Sequence, residues 1–186
     1  MSSFTAIRAV TDTLATLLDQ ELGIATERNI PPHQINVNTP LVSIFLYRVE
    51  ANPFLGNLEW QATGATQLQA PPFGLNLQYL ITPYGQDLSQ DQQTLGELLR
   101  VFHERAVIRP GDPALSPDLA TMTEELRIVP HQLPLADALE IWKAFNNNTP
   151  YRLAVTYEVS TVVIDSGVTR NVTRVQERHL DVSTLR

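Results

Sequence analysis

Histidine is the side chain best suited to proton transfer at neutral pH, and this chain of 186 residues has four. They stand at positions 33, 103, 131 and 179, so no two have the spacing of a metal-binding pair, and none lies in an H-E-x-x-H pattern. The absence of cysteine excludes disulfides, thiolate ligands and cysteine nucleophiles. We therefore predict no catalytic residue and no metal site. The alternative is a small hydrolase whose site combines His103, His131 and nearby acids.

Paired carboxylates can act as general acid and base, and the closest pairs are Asp87 with Asp91 and Glu124 with Glu125. Such a pair needs a site that separates the two pKa values, whereas both pairs lie beside polar residues at predicted element starts. Asp87 and Asp91 instead suit the positive end of a helix. The glycines form no phosphate-binding or serine-nucleophile motif. We predict that the chain is not an enzyme and binds no cofactor.

The chain is acidic, with 13 lysines and arginines against 20 aspartates and glutamates and a net charge of −7. Proteins that bind nucleic acid through phosphate contacts normally carry the opposite sign. No apolar run approaches the roughly 18 residues of a membrane span. The charged residues within the first 25 positions argue against a secretory signal. We therefore expect one soluble domain over residues 1–186 that binds neither nucleic acid nor membrane.

Hydrophobic periodicity predicts which elements position these side chains. Helices are predicted over 3–22, about 90–104, and from Pro134 to the asparagines at 146–148, and strands over 41–49, 73–82, 123–129, 151–164 and 168–180. The segment 25–40 is predicted to be extended, with room for one short strand. The order of these elements predicts an α+β single domain with a mixed or largely antiparallel sheet, about three helices and a C-terminal β-hairpin.

The predicted core consists of the inward members of the strongest apolar stripes. These residues are Leu14, Leu17, Phe45, Leu77, Tyr79, Leu98, Phe102, Trp142, Leu153 and Val155. Alternation along the strand 151–164 also places Val159, Thr161 and Val163 on the same face as Val155. The same rule places Phe73 on the face of Leu77.

The connection over residues 50–72 lacks periodicity, yet it is rich in large apolar side chains. They are Phe54, Leu55, Leu58, Trp60 and Leu68. Exposed apolar groups of this kind mark interfaces, so we predict that the connection contacts a neighbouring subunit. The alternative is that it folds back and buries Trp60 within its own domain. A third hypothesis is a monomeric binding module that uses the same connection.

Positive charge is almost entirely arginine, since Lys143 is the only lysine. Composition bias in the source genome would explain this, and so would bidentate pairing at interfaces. On the last predicted strand, Arg170, Arg174 and Arg178 recur at even spacing and therefore project from one face. We predict that this strand is an edge that contacts an acidic partner surface. The alternative is that the arginines protect a free edge from aggregation.

Six segments together resemble one family. They are Phe4–Thr11, Leu41–Pro53, Leu75–Tyr84, Gln92–Gly96, Ile141–Phe145 and Tyr151–Val159. In this order and spacing they resemble the cap, or tail-terminator, proteins of extracellular contractile injection systems, which are phage-tail-like particles of the antifeeding-prophage type. The resemblance covers about residues 4–165 and depends on the combination of segments, because no single motif is specific.

The resemblance implies a structural protein that forms a hexameric ring at the end of the particle distal to the baseplate. The ring would terminate the inner tube and contact the last sheath layer, so its partners would be tube and sheath subunits and further copies of the chain. Assembly would take place in a bacterial cytoplasm, and the finished particle would be released or stay inside the cell. Members of the family can be longer, with a C-terminal extension.

Overall fold

The computed structural model describes residues 4–35, 40–55, 59–120, 122, 124–145 and 150–173. Its helices are α1 (Ala6–Leu22), α2 (Leu88–Glu104) and α3 (Leu135–Phe145). Its strands are β1 (Ala25–Arg28), β2 (Leu41–Ala51), β3 (Gln61–Ala62), β4 (Gln67–Gln69), β5 (Phe73–Tyr84), β6 (Val107–Ile108), β7 (Leu126–Pro130), β8 (Val155–Ile164) and β9 (Thr169–Asn171). β3 and β4 lie within the connection for which no strand was predicted, because two or three residues show no alternation.

The main sheet has six strands in the order β1-β2-β5-β8-β7-β6. β1 and β2 are parallel, and the other neighbouring pairs of this sheet are antiparallel. A second, three-stranded sheet has the order β3-β4-β9. The predicted α+β class, with a mixed and largely antiparallel sheet packed against three helices, is confirmed.

The predicted C-terminal β-hairpin is wrong, because β9 pairs with β4 of the second sheet and not with β8. The Gln69 side-chain amide donates to the Ser166 carbonyl at 2.7 Å. The backbone N–H of Ala70 donates to the Val168 carbonyl at 2.9 Å. These bonds direct the chain toward β4 after it leaves β8. The backbone groups of β9 are thereby satisfied by a strand that the sequence pattern did not reveal.

Helices α1 and α2 cover one face of the main sheet, with the largest buried side chains beneath them. The Thr11 hydroxyl of α1 lies 3.0 Å from the Tyr79 hydroxyl of β5. The Phe102 ring of α2 meets the Tyr157 ring of β8 edge-on, with 4.7 Å between centroids. Tyr79 and Tyr157 are opposite each other in the β5–β8 pairing. Both helices therefore pack on the same face, and burial of this apolar layer is the main stabilising contribution.

Helix α3 covers part of the opposite face. Its Phe145 ring packs edge-on against Phe45 of β2, at 5.1 Å between centroids. Phe45 is opposite Leu80 of β5, and adjacent strand residues point to opposite faces, so Phe45 lies on the face away from Tyr79. Trp142 of α3 is 3% exposed and packs against Phe145 at 6.1 Å. The main sheet therefore has two helices on one face and one on the other.

Most of the predicted core is confirmed. Buried members are Leu14, Leu17, Leu77, Tyr79, Leu98, Phe102 and Trp142. Phe45, Leu153 and Val155 are only half-buried. Phe45 lies on the face that carries a single short helix, Leu153 precedes β8, and Val155 packs at the margin of the core cluster. The sequence pattern gives the inward direction of a side chain but not how much structure covers it.

A β-bulge changes which side chains of β8 point inward. The register of the β5–β8 pairing shifts midway along the two strands. Thr161 has a φ of 66°, which is rare for a β-branched residue. Extra residues on one strand interrupt the alternation. Val162 is therefore buried, whereas Thr161 and Val163, which we predicted to share the inward face of Val159, are half-buried.

An ion pair joins the start of α2 to the segment that precedes β8. Asp91 is 1% exposed. Its Oδ1 accepts the Gly85 N–H at 2.5 Å, and its Oδ2 lies 3.1 Å from Nη2 of Arg152. The Arg152 guanidinium also lies over the Tyr84 ring, 4.6 Å from the centroid. Asp87 caps α2 by accepting a backbone N–H at 2.8 Å, as expected for an acid at a helix start.

This cluster makes stability depend on alkaline pH. Burial raises the pKa of Tyr84 to about 12, against smaller effects of the Arg152 charge, which lowers it, and the Asp91 charge, which raises it. The unfolded phenol ionises near pH 10. The folded state therefore holds more protons than the unfolded state between pH 10 and 12, and stability is full below that window and falls as pH rises through it.

We expect the free energy of unfolding to decrease by on the order of 1 to 3 kcal/mol between pH 10 and 12 through Tyr84 alone. The measurement is urea denaturation at a series of pH values for the wild-type chain and for Tyr84→Phe. The variant should lose less stability over the same window because it has no phenol to ionise. Parallel curves for the two proteins would contradict this prediction.

Candidate interaction surface

One end of the main sheet carries a group of exposed apolar side chains. β5 begins and β8 ends there, since Phe73 is opposite Ile164. The second sheet adjoins this end through the turn that leads into β9. The exposed fractions are 89% for Phe54, 58% for Phe73, 60% for Val168 and 37% for Trp60. These four residues and Arg170 form the apolar end surface, which has the exposure expected of an interaction site.

The loop that carries Phe54 is held in place by the buried side chain of Asn52. The Asn52 Oδ1 accepts the Phe54 N–H at 2.9 Å, and its Nδ2 donates to Asn76 Oδ1 at 2.9 Å. The Asn52 N–H also donates to the Gly74 carbonyl at 2.8 Å. Phe54 therefore projects from an anchored turn, and its ring points to solvent.

Leu55, predicted to be an interface residue, packs against its own domain. It is half-buried, and a Cβ built on Gly74 would lie 2.5 Å from the Leu55 Cβ and 2.6 Å from its Cδ1. Only glycine at position 74 leaves room for this contact. Leu55 therefore anchors the loop to β5 and supports the position of Phe54.

Trp60 and Arg170, which the sequence suggested separately, contact each other. The Arg170 guanidinium lies 4.8 Å from the centroid of the Trp60 ring, within the range of a cation–π interaction. Trp60 directly precedes β3, and Arg170 in β9 is opposite Leu68 of β4, so the second sheet brings the two together. The connection folds back onto its own domain, and the Trp60 ring nevertheless remains more than one third exposed.

The other predicted interface residues divide into two groups. Leu68 is half-buried in β4. Leu58, Arg174 and Arg178 lie outside the described residues. β9 is the outermost described strand of the second sheet, which is the edge position that we predicted for it. The contacts expected of these residues stay predictions.

The sequence pattern missed Phe73 and Val168 as members of the exposed surface. Alternation places Phe73 on the inward face of β5 but does not show that its covering layer fails at the first residue of the strand. Val168 follows a turn, and its exposure depends on the pairing of β9 with β4. The two consecutive prolines before Phe73 are the signal of a strand start that could have suggested weaker burial.

The histidines proposed for an alternative hydrolase site remain separate. His103 is in the last turn of α2, and His131 follows β7. Neither imidazole forms a hydrogen bond or ring contact with another described residue. The described ranges also contain no group of three or more His, Asp or Glu side chains that could hold a metal ion.

Among the helices that the structure describes, none combines the length and the apolar character required to span a bilayer.

Two solved structures share this fold. One is the PVC sheath/tube terminator of an extracellular contractile injection system in its extended state, with 19% identity and a TM-score of 0.69 over 100% of this chain and 66% of that chain. The other is the tube-terminating cap of the anti-feeding prophage, with 18% identity and a TM-score of 0.64 over 98% of this chain and 62% of that chain. This chain thus spans just under two thirds of the length of each.

A search of curated proteins gives no match to the chain. The family model described as the Pvc16 N-terminal domain matches residues 9–178. That range includes all three helices and all nine strands of the structure. The chain therefore belongs to the Pvc16 N-terminal domain family, in agreement with the resemblance to cap proteins of contractile injection systems.

Proposed function

We propose that this chain is a structural protein that caps the inner tube of a contractile, phage-tail-like injection particle and contacts its last sheath layer. The fold that it shares over its whole length with a sheath/tube terminator carries the proposal. The family match over residues 9–178 supports it. This function is one of binding, with no chemical step. Its partners would be inner-tube and sheath subunits, and assembly would precede release of the particle or its retention in a bacterial cell.

The capping unit in this proposal is a hexameric ring of the chain. A ring requires a head-to-tail interface, in which two different surfaces of one protomer meet on successive copies. The apolar end surface supplies a candidate for a contact with a neighbouring copy or with the tube. Asn52 holds the turn that carries Phe54, and Arg170 packs on Trp60. Side chains ordered before binding lose less conformational entropy on association.

The edge strand β9 is the second candidate contact. An outer strand presents backbone N–H and C=O groups that a partner strand can pair with. Arg170, Arg174 and Arg178 would meet acidic groups across the contact, each pair contributing about 0 to 1 kcal/mol and setting register more than affinity. The alternative is edge protection. Ring formation and assembly that proceed normally across a range of salt after charge reversal at all three positions would favour edge protection.

A monomeric binding module would use the same apolar end surface, so a specific observation must separate it from the ring. Solution mass does so directly, because a hexamer has six times the mass of the chain. A chain that stays monomeric in the presence of assembled tube would favour the monomeric module. The discriminating measurement is therefore mass determination with and without tube.

The test of the proposed surface is the double variant Phe54→Ser with Phe73→Ser. Both rings are largely exposed, so the fold should be retained, and loss of an interface anchor typically costs about 2 kcal/mol or roughly 30-fold in affinity. We expect the fraction of tubes with a terminal ring, counted by electron microscopy, to fall sharply. Leu135→Ser is the matched control, since Leu135 is an exposed leucine on α3. Tubes capped by the double variant as often as by wild type would overturn the assignment of this surface.

A further inference from the structure

A cleft of about 380 Å³ lies between the end of β8 and the second sheet, and the apolar end surface does not include it. Its walls are partly apolar and partly polar. The apolar side chains are Leu55, Pro72 and Val163, and the polar ones include Gln69, Glu124 and Asp165. The cleft therefore has the character of a site for a long side chain with an apolar stem and a polar head.

Asp165 lacks a partner that its position requires. Its Oδ2 atom is buried and has no hydrogen-bond donor among the described residues. A buried carboxylate oxygen without a donor is costly, and such groups are usually satisfied by something bound. Glu124, on the same cleft, forms no ion pair with any described residue. The cleft thus presents two carboxylates without a cation.

We propose that this cleft binds the side chain of an arginine from a second copy of the chain. The arginine methylenes would lie along Leu55 and Val163, as long cationic side chains commonly do on apolar surfaces. The guanidinium would donate to the buried Asp165 oxygen and to Glu124. Its five N–H donors in a planar fork can serve two acceptors at once, which a lysine ammonium does less well.

Arg100 is the arginine that fits this role. Most of the described arginines already contact a carboxylate, and Arg170 lies over Trp60. The paired ones are Arg8, Arg28, Arg48, Arg105, Arg109, Arg127 and Arg152. Arg100 has neither kind of partner among the described residues, and it is exposed on α2 beside the exposed Leu99. It belongs to a different element from the cleft, as a head-to-tail contact between copies requires.

The choice of a second copy rests on the proposed ring, whereas the preference of the cleft for arginine does not. The cleft is tested alone by titrating N-acetyl-arginine amide into the chain and following the NMR signals of the Ser166 and Gly167 amides. We expect saturable binding that Asp165→Asn weakens by about tenfold or more. The neutral analogue N-acetyl-citrulline amide should not bind. Absence of saturation, equal binding of the citrulline or the N-acetyl-lysine amide, or an unchanged affinity in Asp165→Asn would each overturn the arginine site.

The occupant is tested by exchanging charges between the two residues. We expect Arg100→Asp and Asp165→Arg each to weaken self-association by about tenfold or more, and the double variant to restore most of it. Arg127→Asp, which changes an exposed arginine on β7, is the control for net charge. Self-association of Arg100→Asp at the wild-type level would overturn Arg100 as the ligand. A wild-type chain that stays monomeric with tube present would overturn the second copy and the ring, while the titration decides the cleft separately.

Discussion

Replacing Arg152 with alanine is expected to lower the free energy of unfolding by about 3 to 5 kcal/mol, because it leaves the buried carboxylate of Asp91 without its cation. The 3.1 Å contact between Arg152 and Asp91 joins α2 to the segment before β8, which are 61 residues apart in sequence. The same substitution removes the guanidinium from the Tyr84 ring. The measurement is urea denaturation at pH 7, followed by circular dichroism.

Two variants separate the buried pair from a general loss of charge. Arg127→Ala removes an arginine whose pair with Glu125 is exposed, so it should cost no more than about 1 kcal/mol. The double variant Asp91→Asn with Arg152→Ala should recover part of the stability, because asparagine can still accept the Gly85 N–H without burying a charge. A loss in Arg152→Ala as small as that in the control would mean that Asp91 does not depend on this partner.

Trp142→Ala is the second substitution with a large expected effect, a loss of about 3 to 5 kcal/mol. The Trp142 side chain packs edge-on against Phe145 at 6.1 Å and against Tyr151 at 5.8 Å. It is the buried residue of α3, so its loss should detach the helix from the face of the sheet that carries Phe45. The denaturant midpoint provides the measurement.

Lys143→Ala is the matched control on the same helix, since its side chain is exposed and pairs only with Glu140. This control should change the stability by no more than about 0.5 kcal/mol. Trp142→Phe should lose less than Trp142→Ala, because a ring remains to fill the site and the indole N–H has no acceptor among the described residues. An unchanged midpoint for Trp142→Ala would remove this residue, and with it α3, from the packed structure.

The candidate site was only partly accessible to sequence reasoning. The composition of the 50–72 connection pointed to Phe54 and Trp60, and both are exposed in the structure. Leu55 has the same apolar character, but its packing against Gly74 makes it an anchor of the loop. The sequence could not separate these roles, because whether an apolar residue on an irregular loop points inward depends on what lies opposite it.

Amino-acid periodicity by itself determined the three helices, the long strands and most of the core. Alternation and helical stripes are properties of consecutive residues, so residues such as Leu77 and Phe102 carry their inward direction in their neighbours. The resemblance to cap proteins likewise came from local segments in a fixed order. These features needed no knowledge of which strands meet.

Only the tertiary structure decided the pairing of β4 with β9, the bulge at Thr161 and the contacts between distant charges. The Arg170–Trp60 and Arg152–Asp91 contacts join residues far apart in sequence, and nothing in the local pattern distinguishes these arginines from exposed ones. The two-residue and three-residue strands of the second sheet are too short to show alternation, so their pairing is set by backbone groups that need partners where the chain returns. The physical reason is that local pattern fixes direction, whereas pairing and charge neutralisation depend on what the fold places opposite each residue.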